Sequence, residues 1–299
     1  MRTHSLSSHP TITNLLLLAA VFLLFALPRW LVVEQTATAD ETKWVARAAN
    51  FATALSSAST SSASGSTGSP PPEPVEGDLA DASTSPASRE TGEGDLAERL
   101  ANTYQSEHPG VTTMWAGTVG LNTLFSNDAG FGEFSRAAHD PGQLEPYELD
   151  QLLLAWGYAP LQALAAGRRV MVLFNVLALT LLFFYAWRLL DVQTALLAAV
   201  FSALSPFFVA HTHLMHLDGL TGSLMVLSLM AFLSFADRRK TLDLLLSGAA
   251  AGLAWLTKTP ALVLAPILLI IPLWAISKGG SRTAPTHSAR GLLLSLLAW

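Results

Sequence analysis

The sequence predicts an all-α polytopic membrane protein with a long first loop. Three observations predict it: 51% of its 299 residues are hydrophobic, only 13% are charged, and the apolar residues gather in blocks of about span length instead of helical stripes. A net charge of -5 offers no basic surface for a polyanion, and no arginine-rich or zinc-finger pattern is present, which argues against nucleic-acid binding. The chain has no cysteine, which excludes disulfides, thiolate metal sites and cysteine nucleophiles.

The first apolar block, Asn14 to Val33, is about 20 residues long, enough to cross a hydrocarbon core of roughly 30 Å. Ala37-Thr38-Ala39 resembles a small-x-small cleavage site. A signal-peptide core runs only about 7 to 15 residues, so the longer block reads as an uncleaved anchor. Further blocks follow at Val170 to Trp187, Ala195 to Ala210, Leu220 to Ala236 and Leu244 to Ile276. The last is too long for one span, and Lys258-Thr-Pro260 divides it into two helices, because proline disfavours helix at the preceding residue. A final block, Gly291 to Trp299, is too short to span and reads as the truncated start of another helix, making the chain an N-terminal portion.

Orientation comes from the short loops. Arg2 precedes the first span, Arg188 follows the second, Arg238-Arg239-Lys240 follow the fourth, and Lys278, Arg282 and Arg290 follow the sixth. The positive-inside rule places these in the cytoplasm and segments 34–167, 211–219 and 257–260 on the outer face. Residues 55–89 are almost all Ser, Thr, Ala, Gly, Pro, Asp and Glu, EGDLA occurs at both 76–80 and 93–97, and segment 54–95 reads as a disordered insert. The expected organisation is therefore a cytoplasmic N-terminus (1–13), a first span with the start of the outer loop (14–53), the insert (54–95), interfacial outer-loop helices (96–167), five transmembrane helices (168–277), and a cytoplasmic loop with a truncated helix (278–299). The stretch VTTMWAGTVGLNTLF is apolar but short, and reads as lying on or dipping into the outer interface.

The candidate chemistry gathers on the outer face. Asp40-Glu41 follows the first span, where partial desolvation can make a carboxylate a useful base, although any polar pair can end a span. His108-Pro109-Gly110 is an ordinary turn by itself. His211, His213, His216 and Asp218 could ligate a metal, but His211 and His213 point to different sides of a helix. Asp218 also suits a helix N-terminus with no function needed. Lys258 interrupts an apolar run, where it either snorkels to the headgroups or binds an anionic group such as a lipid phosphate. Arg168 and Arg169 open the second span on the outer side, against the usual charge bias.

In order, TATADETKW, YQSEHPGVTTMW, GRRVMVLFN, HLDGLTGSLMVL and SGAAAGLAWLTKTPALVLAP resemble glycosyltransferase family 39. That family comprises protein O-mannosyltransferases, lipid A aminoarabinose transferases and similar membrane enzymes of the GT-C fold. The resemblance covers roughly residues 10–53 and 96–277, and departs from the family where His-Pro-Gly stands in place of a frequent pair of prolines. It implies a GT-C-like helix bundle in the plasma membrane that transfers a sugar, with inversion, from a polyprenyl-phosphate donor to a hydroxyl of a protein, lipid or glycan on the extracytoplasmic face. It implies that Asp40 is the general base, that Glu41 and Asp218 position or assist, and that Lys258, with Arg168, Arg169 and His108, offsets charge on the leaving phosphate. No nucleotide or other cofactor is implied, and these cations make a metal unnecessary. The competing readings are a multispan transporter, with Asp218 and Lys258 lining a path near mid-membrane, and a non-catalytic membrane interaction protein.

Overall fold

The structure, a computed structural model, describes residues 12–35, 38, 41–52, 109–125 and 146–277. Asp40, His108, segment 278–299, the 54–95 insert and nearly all of segment 1–13 lie outside the described residues. Among the described residues the chain is helical with no strand. In chain order the helices are α1 (Ile12–Leu31), α2 (residues 41–52), α3 (Val111–Leu124), α4 (Pro146–Ala155), α5 (Pro160–Leu189), α6 (Val192–Leu204), α7 (Pro206–His213), α8 (Leu217–Arg238), α9 (Thr241–Thr257) and α10 (Leu264–Ser277), with a 3-10 turn at Thr259–Val263 before α10.

Among the described residues three helices, α1, α5 and α8, are long and apolar enough to cross a membrane, and four spans result if the bent pair α6–α7 counts as one. The block Ala195 to Ala210, expected as a single helix, is two helices meeting at 71°. Pro206 cannot donate a backbone N–H, so the chain restarts there with Ser205 as cap, its Oγ accepting from Phe208 N. The break at Lys258 is as expected, although α9 and α10 are shorter apolar helices than the other spans. Residues 160–167 form the first turns of α5: Pro160 occupies the first helical position and the helix runs on without a break through Gly167-Arg168.

Helix α5 is the central element, packed against α1, α3, α6, α7 and α8. α3 crosses it so closely that a Cβ on Gly120 would lie 2.5 Å from the backbone nitrogen of Gly167. α8 and α9 form an antiparallel hairpin joined by Arg239-Lys240, with Ser228 and Ser247 bonded at mid-length and Ser234 bonded to Asp243 near the turn. Small hydroxyls of this kind join helices where lipid gives no hydrophobic drive for association. α5 and α8 run parallel, since Asn175 meets Ser223 and Arg188 meets Arg238 at nearly constant sequence offset. From Arg168 to Arg188 and from Asp218 to Arg238 is about 30 Å at 1.5 Å per residue. The bundle thus has two polar layers separated by roughly one hydrocarbon thickness.

Candidate active site

Glu41, the first residue of α2, is fully buried at the first polar layer. Its Oε1 accepts from Arg168 Nε at 2.7 Å and from Met215 N at 2.9 Å. Its Oε2 accepts from Arg168 Nη2 at 2.6 Å and from Thr38 N and Oγ1 at 3.0 Å each. Arg168, equally buried, donates from Nη1 to Val33 O at 2.9 Å and Gln35 O at 2.8 Å. Burial pushes the Glu41 carboxyl up, but bonds from Arg168, Thr38 and Met215 outweigh it and hold the group below the ordinary carboxylate range. This bidentate lock joins the end of α1, the start of α2, the opening of α5 and the turn before α8.

Pro109-Gly110 is held from both sides. Arg47 Nη2 donates to Pro109 O at 3.1 Å, with its guanidinium 4.6 Å from the Trp44 ring. Burial lowers the Arg47 guanidinium to about 10, still charged at neutral pH. Gly110 N donates to Thr257 O at 3.1 Å, and the Thr112 and Thr257 hydroxyls lie 2.7 Å apart. Gly110 has φ +60°, and a Cβ there would sit 2.1 Å from the Trp44 ring. A proline at 110 could supply neither that φ nor the N–H.

Thr257 is followed by Lys258, whose Nζ donates to Asp218 Oδ1; both groups are partly exposed. His216 caps α8 with its Nδ1 and lies 3.6 Å from Asp218 Oδ2. His211 and His213 face their own helix, at Phe207 O and Val209 O. Among the described residues no three His, Asp or Glu side chains converge as a metal site requires. Arg169 is half-exposed and paired with Glu34 at 2.6 Å.

The structure therefore gathers Glu41, Arg168, Asp218, Lys258 and the Pro109-Gly110 turn at one end of the bundle. Arg29 and Arg47 belong to the same layer and escaped the sequence reading. Arg29 is wholly buried, donating from Nε to Thr212 Oγ1 at 2.7 Å and from Nη1 to Phe25 O at 2.8 Å. It ties α1 to α7, the segment that leads to Met215 and Asp218. A cation inside the first apolar block was the available signal.

Two cavities adjoin this layer. An apolar groove of about 300 Å³ lies between α5, α8 and α9, with Thr112, Trp115 and Leu253 in its wall. Leu253 is one turn from Thr257, to whose hydroxyl Thr112 is bonded. A cavity of about 360 Å³ opens between α2, α4 and the start of α5, where Thr42 and Asp150 are the polar lining. Burial raises the Asp150 carboxyl above its ordinary value.

Residues 161–299 match the family model described as dolichyl-phosphate-mannose-protein mannosyltransferase. The match takes in Arg168, Arg169, Asp218 and Lys258, whereas Asp40, Glu41 and His108 precede it. It bears out the resemblance drawn from the motifs and supports a membrane glycosyltransferase of the mannosyltransferase type. No curated protein and no solved structure gives a significant match.

Proposed function

From a mannosyltransferase-type match that includes Asp218 and Lys258, we propose that the chain transfers a sugar from a polyprenyl-phosphate donor to a hydroxyl acceptor at the extracytoplasmic surface of the plasma membrane. The observation that carries this reading is the apolar groove ending one turn from Thr257-Lys258. A prenyl chain suits the groove, and a phosphate at its mouth suits a lysine ammonium. Lys258 then exchanges its bond to Asp218 for one to the phosphate, and Asp218 keeps the ammonium in place between turnovers.

In the proposed step, Asp40 takes the acceptor's O–H proton and the freed oxygen attacks the anomeric carbon. The bond from that carbon to the phosphate oxygen breaks, the electron pair leaves with the phosphate, and the anomeric configuration inverts. Glu41 and Arg168 do not touch substrate on this reading; they hold residue 40 in register. Arg169 and His108 are assigned the further role of offsetting phosphate charge. The cavity with Thr42 and Asp150, next to Glu41, suits the acceptor.

The test is Asp40→Asn. Incorporation of sugar from a radiolabelled polyprenyl-phosphate donor falls to background while membrane insertion and melting temperature stay at the parent's values; near-parent transfer would sink the assignment. Reporter fusions after residues 240 and 280 check the face, and both are expected to read as cytoplasmic.

A further inference from the structure

The second polar layer takes no part in that transfer. Arg188 closes α5, and Arg238, Arg239 and Lys240 lead from α8 into α9. Arg238 Nη2 donates to Arg188 O at 3.0 Å, which joins the two groups into one cationic cluster. Its buried acid is already engaged: Asp243 Oδ1 accepts from Tyr185 at 3.0 Å and Arg188 Nη1 at 3.3 Å, and Oδ2 accepts from Ser234 at 2.9 Å. Asp237 is exposed and lies 3.6 Å from Arg238 Nε, and Asp191 caps α6 by accepting from Thr194. Arg239 and Lys240 have no carboxylate partner among the described residues.

Two observations mark the cluster as built for an anion. First, Arg188 Nη2 and Arg239 Nε are buried and have no hydrogen-bond acceptor among the described residues, although the Arg188 side chain is only 7% exposed. Buried donors without acceptors are rare and unfavourable. Second, Arg239 closes α8 with φ +56°, the left-handed conformation that helix ends normally give to glycine. An arginine is held there under strain, its guanidinium 5.5 Å from the Phe235 ring.

We propose that Arg188, Arg239 and Lys240 bind the phosphate of an anionic membrane lipid. The cluster lies about 30 Å along α5 and α8 from the Glu41–Arg168 lock, at the level of the opposite headgroup layer. Guanidinium groups match phosphate oxygens in geometry and charge, and Arg239 and Lys240 present cationic groups with no carboxylate partner among the described residues. A zwitterionic headgroup brings its own cation and fits the uncompensated charge of Arg239 and Lys240 less well. This inference is independent of the transfer reaction.

The test uses the full chain purified in detergent, with thermal unfolding followed after adding phosphatidylglycerol, phosphatidylcholine or inorganic phosphate. Phosphatidylglycerol is expected to raise Tm by several degrees more than phosphatidylcholine. The double variant Arg239→Asn/Lys240→Gln, in which asparagine tolerates the left-handed cap, is expected to lose that difference. Lys240→Gln alone, at an exposed position, is expected to reduce it. Native mass spectrometry should show at least fivefold fewer phosphatidylglycerol adducts on the double variant. Equal shifts from the two lipids, an undiminished difference in the variants, or the full shift from inorganic phosphate alone would overturn the proposal.

Discussion

Glu41→Gln removes one charge and changes one atom, yet it should be among the most damaging single substitutions in the chain. The carboxylate accepts five hydrogen bonds, two at Oε1 and three at Oε2. A glutamine must turn its NH2 toward one of these sets. It then faces Arg168 Nε and Met215 N, or else Arg168 Nη2 with the Thr38 amide and hydroxyl, so either orientation sets donor against donor. The Arg168 guanidinium, 0% exposed, is left with no anion. Removing one partner of a buried ion pair costs about 3–5 kcal/mol, which lowers Tm by on the order of 10 °C. The assay is tryptophan fluorescence during heating of the purified full chain in detergent, with Asp40→Asn as the control at the neighbouring acid. Replacing both partners, Glu41→Leu with Arg168→Met, should recover part of the loss, because no charge then remains buried. A Glu41→Gln Tm within about 2 °C of the parent would refute the claim that this pair holds the site together.

Other consequences are checked more simply. Gly110→Pro deletes the N–H that bonds Thr257 and demands a φ near -65°, so it should lower stability by about 1–3 kcal/mol and transfer activity at least about tenfold; parent-like kinetics would remove the turn from the site. Because the Glu41 carboxyl is held below its unfolded value, its stabilisation is fully present above the usual carboxylate range. It is lost as pH falls through the depressed folded-state value, so Tm should be flat near neutrality and drop below about pH 4.5. Glu41→Gln should flatten part of that acid limb. Lys258→Ala should raise KM for the lipid donor about tenfold or more, with partial recovery in Lys258→Arg; an unchanged KM would place the donor phosphate elsewhere.

Much of the helical framework was legible from apolar blocks, because the free energy of placing a segment in lipid sums over its own residues. The division at Lys258-Thr-Pro260 was legible for the same local reason. The bend in α6–α7 was not: Ser205-Pro206 signals a new helix start, but the 71° angle is set by packing against α1 and α5. That residues 160–167 run on into α5 without a break was not legible, because Arg168 looked like a polar boundary. Once Glu41 neutralises it, Arg168 is buried and the helix continues through it.

The candidate site was legible as a list of residues sharing one face, and illegible as a set of contacts. Glu41 and Arg168 are 127 residues apart, and Arg29 reaches Thr212 across 183. No periodicity or spacing encodes such pairs, and Arg29 and Arg47 were overlooked as single cations in apolar or mixed stretches. The sequence by itself determined a helical membrane protein with polar groups concentrated near the helix ends, since hydrophobic partition acts segment by segment. Tertiary structure decided which of those groups are used up holding helices together, as Glu41 and Arg168 are, and which stay partly exposed, as Asp218 and Lys258 do. The physical reason is that a buried charge is tolerated only with a partner in place, and only the folded chain brings partners from distant segments together.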